Sequence, residues 1–108
     1  MQLKVIDAVG VQQTVIAQAL ESVVDHSGLL YGGASLALMD ANPLRSGFVF
    51  QNLSIRPMYV NDKGPASAAP GSFLVGPGEI FPPYGYPVPT GSINVIGTSG
   101  DGFTAREW

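Results

Sequence analysis

Gly47-Phe48-Val49-Phe50-Gln51-Asn52-Leu53, followed closely by Pro57-Met58-Tyr59-Val60-Asn61, decides the reading of this chain. In the first stretch Phe48, Phe50 and Asn52 fall on one face, and Val49, Gln51 and Leu53 on the other. A period of two is the signature of a strand, because successive side chains leave a pleated backbone on opposite sides. The tight connection predicts that the two stretches pair as a hairpin. Working outward, Ser35–Asp40, Ser72–Val75, Ser92–Ile96 and Phe103–Trp108 read the same way. The last of these sets Phe103, Ala105 and Glu107 against Thr104, Arg106 and Trp108.

Turn formers separate these runs. Asp25-His26-Ser27-Gly28 and Tyr31-Gly32-Gly33 read as turns, and Asn42-Pro43 breaks the chain. Towards the N-terminus, Leu3–Asp7 and Val11–Gln18 are strand candidates that form a hairpin or an extended arm. Thr14–Val24 lacks Gly and Pro, but its Val, Ile and Thr favour two strands broken near Ala19 over a short helix. The count is about eight short strands at close spacing, with no long crossover helix. The expectation is one all-β domain over residues 1–108, an antiparallel β-sandwich of jelly-roll type.

Composition narrows the function. The 108 residues contain 14 Gly, 9 Pro and no Cys, and only 12% are charged. Without Cys there is no disulfide frame, thiol nucleophile or Cys-based metal site. Five Lys and Arg, scattered singly in a chain of net charge −3, give no basic stripe for nucleic acid or an anionic membrane. No run of about 18 apolar residues offers a membrane span. The first residues lack the pattern of a signal peptide. So little charge is a poor surface for a lone monomer and fits one covered by other protein.

Gly and Pro concentrate after Asp62. Gly76–Gly91 is a long Pro-rich crossing that carries Ile80, Phe81, Tyr84, Tyr86 and Val88. Prolines pre-order such a loop and lower the entropy cost of docking it. Phe81, Tyr84, Tyr86 and Trp108 are therefore candidate interface residues, with Val11 and Val15 in the N-terminal segment. Phe81 and Trp108 also fit a role in closing the core.

Chemistry-bearing patterns are sparse. His26 is the single histidine. Adjacent Asp25 cannot easily orient it, because neighbours on a strand face opposite ways, and no G-x-S-x-G elbow supplies a serine. Asp40, Asp62 and Asp101 sit beside turns where a loop calcium site would use them, but Asp favours turns for backbone reasons alone. Asn52-Leu53-Ser54 fits the N-glycosylation pattern but lies within the strongest strand. No enzyme activity, cofactor or metal is expected.

Asn42-Pro43-Leu44-Arg45-Ser46-Gly47-Phe48-Val49-Phe50-Gln51-Asn52-Leu53-Ser54, then Pro57-Met58-Tyr59-Val60-Asn61-Asp62, resembles small β-rich structural proteins of tailed-bacteriophage particles. Pro70–Gly78 and Gly102–Trp108 share the likeness, which leaves the N-terminal third uncovered. The resemblance implies a capsid decoration or cement protein on the outer head surface, contacting the major capsid protein or another virion protein. A homo-oligomer, trimer or dimer, is expected, with residues 1–18 as an arm that adds a strand to a neighbour. A tail, collar or fibre-base component is the alternative within that class. A glycan-binding module that stacks sugars on Tyr84, Tyr86 and Trp108 is the alternative outside it. Physically, Asn42-Pro43 makes a turn, and Arg45 is placed to bond loop carbonyls or a carboxylate at the sheet's end. Gln51 and Asn52 pair across the hairpin or cap its turn, and Gly71 and Gly78 permit tight turns beside prolines.

Overall fold

A computed structural model describes residues 23–108. The strand candidates Leu3–Asp7 and Val11–Gln18 lie outside them, as does the break expected near Ala19. The described residues contain nine short strands and no helix: β1 (Val24–Asp25), β2 (Gly28–Leu29), β3 (Leu36–Met39), β4 (Phe48–Asn52), β5 (Met58–Asn61), β6 (Phe73–Val75), β7 (Ile80–Phe81), β8 (Ile93–Ile96) and β9 (Gly102–Glu107). They form two antiparallel sheets. In one, β1 and β2 both pair with β9, which pairs with β4, which pairs with β7. In the other the order is β3, β8, β5, β6. The molecule is an all-β sandwich.

The alternation read from the sequence is what packs the layers together. Phe48, Phe50 and Asn52 of β4 are buried, as are Phe103, Ala105 and Glu107 of β9. Met39, Met58, Val60, Val75, Ile93 and Val95 meet them from the second sheet. Phe50 stacks on Phe103 with ring centroids 5.6 Å apart. Each such side chain contributes about 1.5–3 kcal/mol by leaving water.

The expected hairpin between Gly47–Leu53 and Pro57–Asn61 does not form. β4 and β5 lie in different sheets, so residues 53–57 cross from one layer to the other. Asn52 enforces the crossing. Its side chain is fully buried and donates to the carbonyls of Arg56 (2.7 Å) and Val75 (2.9 Å). Its Oδ1 accepts from the Ser54 amide (2.8 Å) and hydroxyl (2.7 Å). The backbone of the crossing thus finds partners without a strand beside it. Gln51 reaches the Gly78 carbonyl instead of a hairpin partner.

Asp25–Gly28 is likewise no reversing turn. Val24 faces Glu107, Asp25 faces Arg106, Gly28 faces Phe103 and Leu29 faces Gly102, a single register throughout. β1 and β2 are therefore one edge strand, interrupted where the Ser27 hydroxyl takes the Ala105 amide proton (3.0 Å). The His26 amide still donates to the Ala105 carbonyl (2.7 Å).

Register fixes two ends. Links 30–35, 53–57, 76–79 and 97–101 gather at one, the short-loop end; links 40–47, 62–72 and 82–92 gather at the other, the long-loop end. Gly71 and Gly78 have φ of 108° and 77°, the left-handed turns expected beside the prolines.

Replacing Asn52 by Ala strips partners from the buried Val75 carbonyl and from the Ser54 amide. The expected loss is about 1–3 kcal/mol, read as a lower urea midpoint with an unchanged slope.

Candidate functional site

The long-loop end is built around one buried cation. Arg45 follows the Asn42-Pro43 turn, where the Leu44 amide bonds Asn42 Oδ1 (3.0 Å). Its side chain is buried, with Nε donating to Glu107 Oε1 (2.9 Å). The remaining fork reaches the carbonyls of Pro89 (2.6 Å), Gly91 (3.0 Å) and Asp40 (2.7 Å). The carboxylate and carbonyls expected from the sequence are thus both present. Glu107 also accepts from Asn42 Nδ2 (3.1 Å) and pairs with His26 Nε2 (2.6 Å). Burial pushes the Glu107 carboxyl up, but hydrogen bonds from Arg45, Asn42 and His26 outweigh it and hold it below the usual 4.5.

This geometry gives His26 a structural partner. Asp25 accepts from the amide (3.1 Å) and hydroxyl (2.6 Å) of Ser27 and does not orient the imidazole. The three residues do not line up as nucleophile, base and orienting acid.

Beside this cluster lies the Pro-rich crossing. Tyr86 is half-buried, edge-on to Phe73 (5.7 Å) and tilted against Phe81 (5.4 Å). Its hydroxyl donates to Asp62 Oδ2 (2.5 Å). Burial first, then the hydrogen bond and charge of Asp62, push the Tyr86 phenol from 10.0 up to about 12. A groove of about 540 Å³ runs alongside, lined by Asp62, Lys63 and residues 88–92. It offers one carboxylate, one ammonium and two hydroxyls, while His26 lines a separate cleft with Leu29, Tyr31 and Phe103.

The candidate interface residues divide. Phe81 is corrected to a core residue: only 4% exposed, it packs between Phe48, Phe73 and Tyr86. Tyr84 is fully exposed. Trp108 is 42% exposed, and its ring covers Gly47 so closely that a Cβ there would lie 2.4 Å from it. The amides of Ser46 and Gly47 both donate to its carbonyl. Tyr84 is thus the one ring of the three free of packing, since Tyr86 and Trp108 each commit a face. Val11 and Val15 lie outside the described residues.

Other sequence signals resolve structurally. Among the described residues no group of three His, Asp or Glu is placed to hold a metal ion. Asp62 serves Tyr86, and Asp101 forms a two-bond pair with Arg56 (2.6 and 3.0 Å) at the short-loop end. The Arg56 hydrogen bond is the main reason the Asp101 carboxyl sits below its usual 3.8. Asn52 is too buried to accept a glycan. No helix among the described residues is long and apolar enough to cross a membrane.

Sequence reasoning missed the exposed apolar set: Leu29, Tyr31, Leu44, Ile55 and Leu74 are each more than half exposed. Leu44 and Ile55 sit beside turn residues, which is the signal that an apolar side chain stands outside the core. A scan of protein-family models, a search of curated proteins and a search of solved structures find no match to this chain.

Two titrations check the polar clusters. Because the Glu107 carboxyl is lowered on folding, its contribution is complete above about pH 4.5 and is lost as pH falls through the lowered value. The thermal midpoint should therefore drop below about pH 4.5. Glu107→Gln should cost about 3–5 kcal/mol at neutral pH, by leaving Arg45 buried and unpaired, and should flatten that acid limb. Tyr86 is raised, so its contribution holds below about pH 10 and is lost as pH rises through about 12. An absorbance titration should show a late tyrosine that vanishes in Tyr86→Phe.

Proposed function

We propose that this chain is a structural protein of a tailed-bacteriophage particle, a decoration or cement protein on the outer surface of the head. The observation that carries the reading is the placement of its exposed apolar side chains. Leu29, Tyr31 and Ile55 stand at the short-loop end, Leu44 and Tyr84 at the long-loop end, and Leu74 on the β6 edge. A low-charge sandwich with apolar contacts at both ends and along an edge suits a protein seated among several neighbours. The resemblance in residues 42–62, 70–78 and 102–108 supports the same reading. There Asn42, Arg45, Asn52 and Glu107 hold loops together, which is what a shell protein requires of its polar residues.

The strand orders also support the jelly-roll form of the sandwich. With β1 and β2 counted as one strand, consecutive strands alternate between sheets except at the β5–β6 hairpin. Such alternation is what a double Greek-key wrapping of an eight-stranded roll requires.

The mechanism is mass action. A protein that binds assembled major-capsid subunits, and not their dissociated state, stabilises the shell by about 2.7 kcal/mol per site at a concentration about 100-fold above Kd. Repetition on a lattice raises the effective affinity. Cryo-microscopy of the particle checks this. The expected result is density for this sandwich at regular lattice positions on the head, and particles lacking the protein should release DNA at lower temperature. Density confined to the tail, collar or a single vertex would replace decoration with the tail-component reading.

A further inference from the structure

The groove beside the Pro-rich crossing has one wall whose backbone is turned by Arg45. The Pro89 and Gly91 carbonyls accept from its guanidinium, and the Thr90 carbonyl accepts from the Asn42 amide (2.8 Å). Three successive carbonyls thus face the Asn42–Arg45 turn. These peptide units are trans, and in a planar trans unit the N–H points opposite to the C=O. The amides of Thr90, Gly91 and Ser92 therefore point away from that turn. All three residues line the groove, and neither Asn42 nor Arg45 does. The Thr90 and Gly91 amides donate to no carbonyl among the described residues. A guanidinium on the carbonyl polarises the peptide unit and makes its N–H a better donor.

The facing wall is fixed as well. Asn61 Oδ1 accepts from the amides of Lys63 (2.8 Å) and Gly64 (3.1 Å), and Asn94 Nδ2 holds the Gly64 carbonyl (2.8 Å). This wall presents two charges. Lys63 is exposed and pairs with no carboxylate among the described residues. Asp62 is only 8% exposed and lines the groove. Among the described residues its Oδ2 accepts from the Tyr86 hydroxyl, and its Oδ1 has no donor. A carboxylate accepts on both oxygens, and a buried oxygen left bare is costly.

We propose that this groove binds a sugar acid, a saccharide that carries a carboxylate beside free hydroxyls. The carboxylate meets the Lys63 ammonium and the outward amides. A hydroxyl of the same ring donates to Asp62 Oδ1. Val88 and Pro89 offer apolar surface to the C–H face of the ring. A neutral sugar would leave Lys63 without a counter-charge, and a bare anion would set like charge against Asp62. On an acidic peptide the carboxylate rides a flexible arm. A sugar ring instead holds carboxylate and hydroxyl in one fixed relation, so less freedom is lost on binding. At about 540 Å³ the groove falls within the roughly 300–1,000 Å³ of small-ligand sites. The site needs no stacking ring, and it stands apart from the particle reading.

Amide NMR titration of the purified full-length chain with digalacturonate tests it without any particle. Galactobiose serves as the same disaccharide without carboxylates. The expected result is saturable shifts of the Thr90, Gly91 and Ser92 amides with Kd below about 1 mM. Galactobiose should bind at least about tenfold more weakly. Lys63→Gln, at an exposed side chain, should weaken digalacturonate about threefold to fivefold. Asp62→Asn keeps an acceptor for Tyr86 but replaces the bare oxygen by an NH2 donor, and should weaken it at least about tenfold. If Asp62→Asn unfolds the sandwich, Lys63→Gln and Lys63→Glu carry the test. Absence of saturable shifts overturns the inference, as does digalacturonate binding indifferent to these substitutions or equal binding of galactobiose. Tighter binding by Asp62→Asn would mean a plain anion site and overturns it too. So does tighter binding of tetraglutamate, which would make the groove a seat for an acidic protein segment.

Discussion

Burying the Arg45 guanidinium is the constraint around which the long-loop end is organised. A buried charge is tolerated only if it is paired and its donors are met. Here one carboxylate and three carbonyls meet them, and those four acceptors belong to β9, to the link after β3 and to the Pro-rich crossing. The same carboxylate holds Asn42 and His26, which brings in the edge strand. Three segments far apart in sequence are thereby fixed by one planar cation. Lysine could not replace it, because a single ammonium lacks the fork that spans acceptors on opposite sides.

The short-loop end solves a similar problem with less burial. Asn52 lines the layer crossing with its amide, and the exposed Arg56 side chain clamps the buried Asp101 carboxylate. The Leu30 amide donates to the Asp101 carbonyl, and the Leu53 amide to the Gly102 carbonyl. Apolar side chains such as Leu29, on the edge strand, and Ile55, in the layer crossing, are therefore presented from held segments, which lowers the ordering cost of any contact they make.

What could be read from the sequence follows from what local pattern encodes. Period two in Phe48–Asn52 and Phe103–Glu107 reports which face is buried, and it did so residue by residue. It carries no information about which strand lies alongside, so the β4–β5 crossing looked like a hairpin. The distinction rested on Asn52, whose burial depends on the second sheet. Asp25–Gly28 consists of turn formers, yet β9 recruits it as an edge, because ladder bonds to a neighbouring strand override local preference. Ile80–Phe81 is too short to show a period at all. At the site, the donor geometry of Arg45 was legible, whereas Glu107 as its partner and Asp62 as the acceptor for Tyr86 arise only when distant segments meet.

The pairing of Val24 with Glu107 has a kinetic side. The edge strand closes on a partner more than eighty positions later in the chain. During translation, residues 24–29 emerge long before β9 exists, and the central β4–β9 ladder waits on the same event. Arg45 is made early and must remain solvated until Glu107 leaves the ribosome. Contacts this distant are slow to form, because the entropy of closing the loop is lost before the ladder repays it. The sheet of β1, β2, β4, β7 and β9 therefore closes only once residues 102–107 have been made.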